Sequence, residues 1–347
     1  MFKRIIKIIS SILVIAIITG CCCFVCNHPS EEVENTVDSF YREEAESLDV
    51  VFLGSSACSK DFQPIEIWKQ SGISSYNYSV GACSSNIYKS ILKEIVSKQK
   101  KSVIVVDIDG FMVADKFQRE EDPVRLWVDS MPKNDNWRST INELCASSKL
   151  ERYFPFSRYH RNMVSPHIYL PLTYRLAKKE ILKQKDILKG STLNESKIEL
   201  VGTVNNSGLI AKKLYPLSAK YLKDFLEYAK ENTDNEIIFV DLPKAYYDKK
   251  SYSEKKHWLS MALQLKKDVE AYGYDFYEFN TTQNKKIVNL KDFADSLHLT
   301  TTGGIKFSRF FADVLINKYH IKPTATGSKE WQAAYDEGIK ILKKQVK

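Results

Sequence analysis

Short apolar runs alternate with amphipathic stretches along most of the chain. Buried strands, in which β-branched and aromatic residues cluster, are predicted at 49–53, 75–79, 102–108, 236–242 and 274–277. Amphipathic helices are predicted at 87–95, 217–232, 253–272 and 304–318. Continuous apolar strands separated by such helices are typical of an α/β fold, in which a mostly parallel sheet is covered by helices on both faces.

The alternation is interrupted between about 112 and 216, where Arg, Lys, Tyr and other polar residues dominate. We interpret this stretch as a helical insertion within a single α/β domain that spans 49–322. Residues 27–48 are acidic with scattered apolar positions, and they are predicted to form a membrane-proximal helix. Residues 323–347 are predicted to form a C-terminal tail helix.

Residues 1–26 have the pattern of a membrane anchor or of a lipoprotein signal. Three basic residues precede an uncharged, mostly apolar run from Ile8 to Cys26, which is long enough to cross a bilayer core of about 30 Å. The residues that follow are acidic, so we expect the body of the protein on the extracytoplasmic side. Ile18-Thr19-Gly20-Cys21 fits a lipobox in which Cys21 carries the lipid. A single-pass anchor and a lipoprotein therefore both remain open.

Composition and charge exclude several classes of protein. Hydrophobic residues make up 44% of the chain and aromatic residues 12%, which excludes a mostly disordered protein. The net charge of +8 is a mild excess and does not predict a nucleic-acid-binding surface. Beyond the N-terminal segment only Cys58, Cys83 and Cys145 remain, with no C-x-x-C pair, which excludes a disulfide scaffold and a cysteine zinc site. No cofactor or metal is predicted.

Three predicted strand or loop ends carry residues that can support chemistry. Functional groups of open α/β sheets gather at the carboxyl ends of the strands. Ser56 follows the first strand in a Gly-Ser-Ser turn, and Gly81 follows the second strand. Asp295 and His298 precede the last apolar helix. A serine at such a turn has an exposed hydroxyl and lies near free backbone N–H groups.

Ser56, His298 and Asp295 form a candidate catalytic triad. A hydrolytic serine needs a base, and histidine can serve because it titrates near neutrality. An aspartate three residues earlier can bind the other ring nitrogen and fix its tautomer. We expect the backbone N–H groups of Ser56 and Gly81 to stabilise the oxyanion. A second acidic residue at the same spacing, Glu254 before His257, lies in a Lys-rich stretch and is interpreted as a solvated helix face.

Cys58 and Cys83 each follow one of these candidate residues by two positions. If the first two strands are neighbours, the two thiols lie close to each other. A disulfide and a pair of free buried thiols are both open interpretations.

This arrangement of motifs resembles the SGNH, or GDSL-type, hydrolase superfamily over about 49–318. Gly54-Ser55-Ser56 is similar to its nucleophile block with Ser55 in place of Asp, Gly81 to its second block, and Asp295-x-x-His298 to its last block. The resemblance implies a flavodoxin-like, three-layer α/β/α fold. It also implies a serine esterase or O-acyltransferase in which Ser56 is the nucleophile, His298 the base and Asp295 the residue that orients the base.

A narrower resemblance is to membrane-anchored Gram-positive SGNH proteins related to DltD. It is carried by Val51–Ser56, by Phe154–His160 and by the N-terminal anchor. The resemblance implies acyl transfer between an acylated donor and a cell-wall or capsular glycan or teichoic acid, with a membrane-bound O-acyltransferase as partner. Asp109, Arg158 and His160 are the candidate substrate-binding residues, and a packed cap is the alternative interpretation of the insertion around Arg158.

The sequence departs from the superfamily pattern in one respect. The block whose Asn supplies a third oxyanion donor is not visible, and the corresponding strand ends in Asp107-Ile108-Asp109-Gly110. Two functions therefore remain open. The first is an acyl-transfer enzyme, and the second is a catalytically impaired binding or assembly factor for cell-envelope polymer modification that keeps the SGNH fold.

Overall fold

The computed structural model describes residues 2–26, 30–154, 157–158 and 186–345. The chain divides into two compact units, one formed by 1–34 and 125–184 and the other by 35–124 and 185–347. The second unit contains the sheet and the candidate site. Residues 112–216, predicted as an insertion, are thus divided between the two units.

The helices follow the predicted amphipathic stretches and add several short ones. They are α1 (Phe2–Cys26), α2 (Glu31–Arg42), α3 (Ser56–Asp61), α4 (Pro64–Ser71), α5 (Tyr88–Lys98), α6 (Asp115–Gln118), α7 (Glu121–Ser130), α8 (Asp135–Leu144), α9 (Lys149–Tyr153), α10 (Pro216–Asn232), α11 (Lys249–Ala271), α12 (Thr301–Asn317) and α13 (Lys329–Gln345). Short 3₁₀ turns lie at Ser85–Ile87, Asp109–Phe111, Asn284–Lys286 and Leu290–Asp292.

Five strands form the central sheet, and two short strands form a separate antiparallel pair. The strands are β1 (Val50–Leu53), β2 (Ser75–Asn77), β3 (Val103–Asp107), β4 (Gly202–Thr203), β5 (Ile237–Asp241), β6 (Ala245–Tyr246) and β7 (Asp275–Glu278). The central sheet has the order β2-β1-β3-β5-β7 with every pairing parallel, while β4 and β6 pair antiparallel. The predicted α/β class with a mostly parallel sheet is confirmed.

The register of the central strands brings their carboxyl ends to one edge of the sheet. Val51 pairs with Tyr76 on one side and with Ile104 on the other, and β1 is buried along its whole length. Continuous burial explains why β1 is apolar at successive positions and does not alternate. The loops after β1, β2, β3 and β5 therefore emerge next to one another, and they carry most of the candidate chemistry.

An aromatic cluster packs α12 against the first strand. The rings of Phe52 on β1 and Phe62 are stacked with centroids 4.2 Å apart, and Phe62 lies 5.0 Å from Phe311 and 5.2 Å from Phe307 on α12. All four side chains are fully buried. Burial of aromatic rings of this size stabilises the fold strongly, so the loop before α12 is held close to the end of β1.

The N-terminal helix has the length and apolarity of a membrane anchor or of a signal sequence. Its apolar part, Phe2–Cys21, covers 20 residues with a mean hydropathy of 2.1, and none of it is buried within the protein. Exposure of so many apolar side chains to water is unfavourable. A bilayer accepts them, and the helix needs no water there because its backbone N–H and C=O groups are paired within it.

Candidate active site

The turn after β1 is shaped by a close approach between Gly54 and two neighbouring side chains. A Cβ atom at Gly54 would lie 2.5 Å from the Cβ of Asp107 and 2.6 Å from the Cβ of Cys58. Glycine is therefore required here, because any side chain would collide with the end of β3. Ser55 is the N-cap of α3, and Ser56 is the first residue of this helix.

The carboxylate of Asp107 holds this turn from the end of β3. Its Oδ2 accepts hydrogen bonds from the backbone N–H of Ser55 at 3.0 Å and from the Ser55 hydroxyl at 2.7 Å. Its Oδ1 accepts from the backbone N–H of Asp109 at 2.8 Å. Bonds to an ionised acceptor are stronger than neutral ones. Asp107 thereby fixes the backbone one residue before Ser56.

The loop before α12 holds Asp295 and His298 in a tight turn. Asp295 Oδ1 accepts from the backbone N–H groups of Leu297 at 2.8 Å and His298 at 3.0 Å, while Oδ2 lies 2.7 Å from His298 Nδ1. The Ala294 N–H donates to the His298 carbonyl at 2.9 Å and closes the loop. The D-x-x-H spacing is thus explained, because one carboxylate binds both the backbone and the ring of His298.

The hydroxyl of Ser56 lies 2.8 Å from Nε2 of His298, so three side chains form one hydrogen-bonded series. An ionised Asp295 can only accept hydrogen bonds. The hydrogen of the neutral imidazole is therefore on Nδ1, and Nε2 accepts from the Ser56 hydroxyl. His298 is 16% exposed and Asp295 33% exposed at their side chains, which leaves the site open to a substrate.

The ionisation of Asp295 follows from its contacts. Partial burial raises the pKa of its carboxyl, but the hydrogen bond and the charge of His298 and the two backbone N–H donors outweigh this, and the pKa falls to about 2. Asp295 is therefore an anion at neutral pH.

Asp107 shows the opposite behaviour. Burial and the negative charge of Asp109 raise its pKa to about 7, against the opposing effects of Lys244 and of its hydrogen bonds from Asp109 and Ser55. Its carboxyl is therefore close to its titration point at neutral pH.

A further aspartate joins α3, which begins at Ser56, to the loop that carries His298. Asp61, the last residue of α3, accepts the backbone N–H of Leu299 on Oδ1 at 2.9 Å. Its carboxyl is fully buried, and burial raises its pKa well above the usual range. This bond lies one residue after His298, so both ends of the Ser56–His298 contact are anchored by buried carboxyl groups.

The loop after β2 runs beside the turn that carries Ser56. The N–H of Tyr78 donates to the Phe52 carbonyl at 2.8 Å, and the N–H of Val80 donates to the Gly54 carbonyl at 3.1 Å. Gly81 follows directly and is half-buried. The Ser56 N–H lies in the first turn of α3 and has no acceptor within that helix. The two predicted oxyanion donors are thus on adjacent chain segments.

Cys58 and Cys83 are free and buried thiols. Burial raises the pKa of both well above the usual range, and the nearby charge of Asp107 adds to this effect. A protonated, buried thiol packs as a small apolar residue. Of the two interpretations left open by the sequence, the structure has the unbridged one.

The other predicted site residues lie in different surroundings. Asp109 is buried, and its Oδ1 forms an ion pair with Lys244 Nζ at 2.9 Å, so its carboxylate already has a partner. Arg158 belongs to the first compact unit, and His160 lies outside the described residues. Cys21 is exposed on α1. No group of three His, Cys, Asp and Glu side chains within the described ranges is arranged to hold a metal ion.

Sequence reasoning missed Asp107 as the group that holds the turn and Lys244 as a buried cation. Both lie at the carboxyl ends of central strands, Asp107 on β3 and Lys244 three residues after β5. The rule that functional groups gather at strand ends could have indicated both. Lysine is rarely fully buried, so the sequence alone does not indicate the burial of Lys244.

The comparisons with known proteins add no relative. No protein-family model matches the chain, and the search of curated proteins finds no similar protein. The roles proposed for the site residues therefore rest on their own contacts.

Proposed function

We propose that this protein is an extracytoplasmic serine acyl-transfer enzyme, an esterase or O-acyltransferase, that acts on a cell-wall or capsular glycan or teichoic acid. The observation that carries the proposal is the hydrogen-bonded series from Ser56 through His298 to Asp295, with contacts of 2.8 and 2.7 Å. A nucleophile in contact with a base that a third group orients is the arrangement that covalent acyl transfer requires.

Formation of the acyl-enzyme uses each of the three side chains. The Ser56 oxygen attacks the carbonyl carbon of an ester while His298 Nε2 takes the hydroxyl proton. Asp295 stabilises the imidazolium that forms. The tetrahedral intermediate then collapses, the bond to the leaving alcohol breaks, and His298 returns the proton to that alcohol. The acyl group remains as an ester on Ser56.

The second half of the reaction restores the enzyme. A water molecule or a glycan hydroxyl attacks the acyl carbon while His298 accepts its proton, and the proton is returned to the Ser56 oxygen as the ester breaks. Backbone N–H groups of Ser56 and Gly81 are the proposed donors to the oxyanion in both steps. Which nucleophile reaches the acyl-enzyme decides between hydrolysis and transfer.

The strand order supports an SGNH-type, flavodoxin-like fold as part of the proposal. Numbered along the chain, the five central strands have the order 2-1-3-4-5, which is that of doubly wound proteins of the flavodoxin type. The anchor-like helix α1 supports a membrane-tethered enzyme. A membrane-bound O-acyltransferase is the proposed partner, as the family resemblance implies.

A second candidate function is a non-catalytic binding or assembly factor with the same fold. The end of β3 favours it, because Asp107 supplies a carboxyl group there and not an amide that could donate to an oxyanion. Loss of one such donor costs about 10²–10³ in rate in serine hydrolases. The two functions therefore differ in whether Ser56 reacts at all.

Labelling with a fluorophosphonate probe tests the proposal, because such probes phosphonylate activated serines. We expect the full chain in detergent to carry the label on the peptide that contains Ser56, and the Ser56→Ala variant to remain unlabelled. Ser55→Ala is the matched control, since it removes the neighbouring hydroxyl and leaves Ser56 in place. An unlabelled wild type, or equal labelling of Ser56→Ala, would support the binding factor instead.

A further inference from the structure

We propose that Lys244 is a positioning residue whose buried ammonium keeps the nucleophile turn and the base loop in register. The inference rests on the proposed function, since it concerns how Ser56 and His298 are held. Lys244 touches neither of these residues and is assigned no part in the chemistry.

The ammonium of Lys244 lies among buried carboxyl groups at the strand ends. Its Nζ forms an ion pair with Asp109 Oδ1 at 2.9 Å and donates to the Leu242 carbonyl at 2.9 Å. Its side chain is 1% exposed. Burial lowers the pKa of Lys244, but the charges of Asp109, Asp241 and Asp107 outweigh this effect. The net pKa is raised, so the group stays charged.

One branch of this polar network leads to the nucleophile. Asp109, paired with Lys244, donates its backbone N–H to Asp107 Oδ1 at 2.8 Å. Asp107 in turn accepts both the N–H and the hydroxyl of Ser55, the residue before Ser56. The positive charge of Lys244 favours the ionised form of Asp107, which is the form that accepts these bonds best.

A second branch leads to the base. The residue after Lys244, Ala245, donates its N–H to the Ser296 carbonyl at 3.0 Å, within the turn that Asp295 and His298 form. The charge of Lys244 also opposes the rise in the pKa of Asp61 that burial causes, and the Asp61 carboxyl holds the Leu299 N–H beside His298. Lys244 is therefore linked to both sides of the Ser56–His298 contact.

The backbone around Lys244 is itself firmly held. Its N–H donates to Asn280 Oδ1 at 3.0 Å, and Asn280 Nδ2 donates to Asp241 Oδ2 at 2.8 Å. Its carbonyl accepts the Val204 N–H at 3.0 Å. Such a framework transmits the position of the ammonium to the loops, because each member is buried and hydrogen-bonded.

A second buried lysine offers a matched control. Lys189 is 2% exposed, and its Nζ forms an ion pair with Glu43 at 2.8 Å and lies over the ring of Trp331. Like Lys244 it is a buried cation with a carboxylate partner. Replacement of either by methionine removes a buried charge of the same kind. The carboxylate partner of Lys244 is Asp109, which donates its N–H to Asp107, whereas the partner of Lys189 is Glu43, directly after α2.

The test measures the rate of Ser56 phosphonylation by a fluorophosphonate, together with kcat and KM for p-nitrophenyl acetate and the thermal midpoint. We expect Lys244→Met to lower the phosphonylation rate and kcat by about tenfold to a hundredfold, with KM nearly unchanged, since misplacement of reacting groups by about 1 Å costs up to about 10²-fold. Lys189→Met is expected to lower the thermal midpoint while the rates stay within about twofold of wild type.

The double variant Lys244→Met/Asp109→Asn covers the case in which the single variant does not fold, because it removes both charges of the ion pair. We expect it to show the same loss of kcat with KM unchanged. A folded single or double variant with the phosphonylation rate of wild type overturns the inference alone. A wild type that is not labelled on Ser56 overturns the proposed function and, with it, this inference.

Discussion

Asp295 is linked to Ser56 through His298 and Asp107 through Ser55, and their surroundings shift the pKa values of the two carboxyl groups in opposite directions. Asp295 is one-third exposed and bound to His298, and its pKa falls to about 2. Asp107 is fully buried beside Asp109, and its pKa rises to about 7. Environment, and not residue type, thus assigns one aspartate to orient the base and the other to hold the backbone of the nucleophile turn.

The largest expected effect is that of Asp295→Asn. An amide cannot accept from Nδ1 and bind the backbone donors in the same way, so His298 adopts the wrong tautomer and kcat/KM should fall by about 10⁴-fold. The measurement is hydrolysis of p-nitrophenyl acetate by the full chain. Asp313→Asn, an exposed position on α12, is the control and should retain activity. A loss below tenfold for Asp295→Asn would break the assignment of Asp295 as the orienting residue.

The pH dependence of stability should separate the two carboxyl groups. The pKa of Asp107 is about 4 in the unfolded chain and about 7 in the folded protein. Between these pH values the native state therefore binds more protons than the unfolded state. The free energy of unfolding should therefore fall as the pH rises through this window, by up to about 4 kcal/mol from Asp107.

Asp295 has the opposite sign and a different window. Its folded pKa of about 2 lies below the unfolded value, so its contribution is present above about pH 4 and is lost as the pH falls towards 2.

Urea unfolding of wild type and Asp107→Asn between about pH 4 and pH 8 is the measurement for Asp107. We expect wild type to gain stability relative to the variant as the pH is lowered. Parallel curves would contradict a raised pKa at Asp107.

A smaller effect is expected from Asp107→Asn on activity. The amide keeps the size of the side chain but has an N–H₂ donor in place of one of the two acceptor oxygens, so the bonds to Ser55 and Asp109 cannot all be kept. Ser56 should therefore be displaced, and its phosphonylation should slow by about tenfold to a hundredfold. Asp129→Asn is the control, because Asp129 is a buried aspartate whose carboxylate pairs with Arg125 and not with Ser55. Equal rates for wild type and Asp107→Asn would show that the contact with Ser55 is not needed.

The smallest effect should come from Ser55→Ala. This variant removes the hydroxyl contact with Asp107 at 2.7 Å and leaves the backbone contact at 3.0 Å. A net loss of about 1–3 kcal/mol in stability is expected for a hydrogen bond to a charged group, with less than a tenfold change in labelling rate. Urea unfolding and the rate of phosphonylation, measured on the same preparation, separate the effect on stability from the effect on reactivity. A larger loss of rate than in Asp107→Asn would assign the main role to the hydroxyl.

The sequence was sufficient for the sheet and for the meeting of Ser56 with His298. Long apolar runs predict buried strands, and their parallel pairing brings the ends of β1 and β2 together. The apolar face of the helix predicted at 304–318 packs against β1 and brings the loop with His298 to the same place. The small sheet of β4 and β6 was not predicted, since two-residue strands carry no periodic pattern. Their pairing depends on contacts distant in the sequence.

The polar network behind the site could not be read from the pattern. The contact between Asp107 and Ser55 depends on the close approach of Gly54 to the end of β3, which is a feature of packing and not of local sequence. The burial of Lys244 depends on Asp109, which follows β3, and on Asp241, the last residue of β5. Isolated charges are predicted at the surface, and only their combination makes burial favourable.

The central claim is that Ser56, activated by His298, carries an acyl group during turnover. Mass spectrometry of peptides after rapid acid quenching of the full chain with p-nitrophenyl acetate tests it most directly. We expect one acetyl group on the peptide that contains Ser56, and none on that peptide in the His298→Ala variant. Ester cleavage without an acetylated Ser56 peptide, or equal acetylation in His298→Ala, would contradict the account.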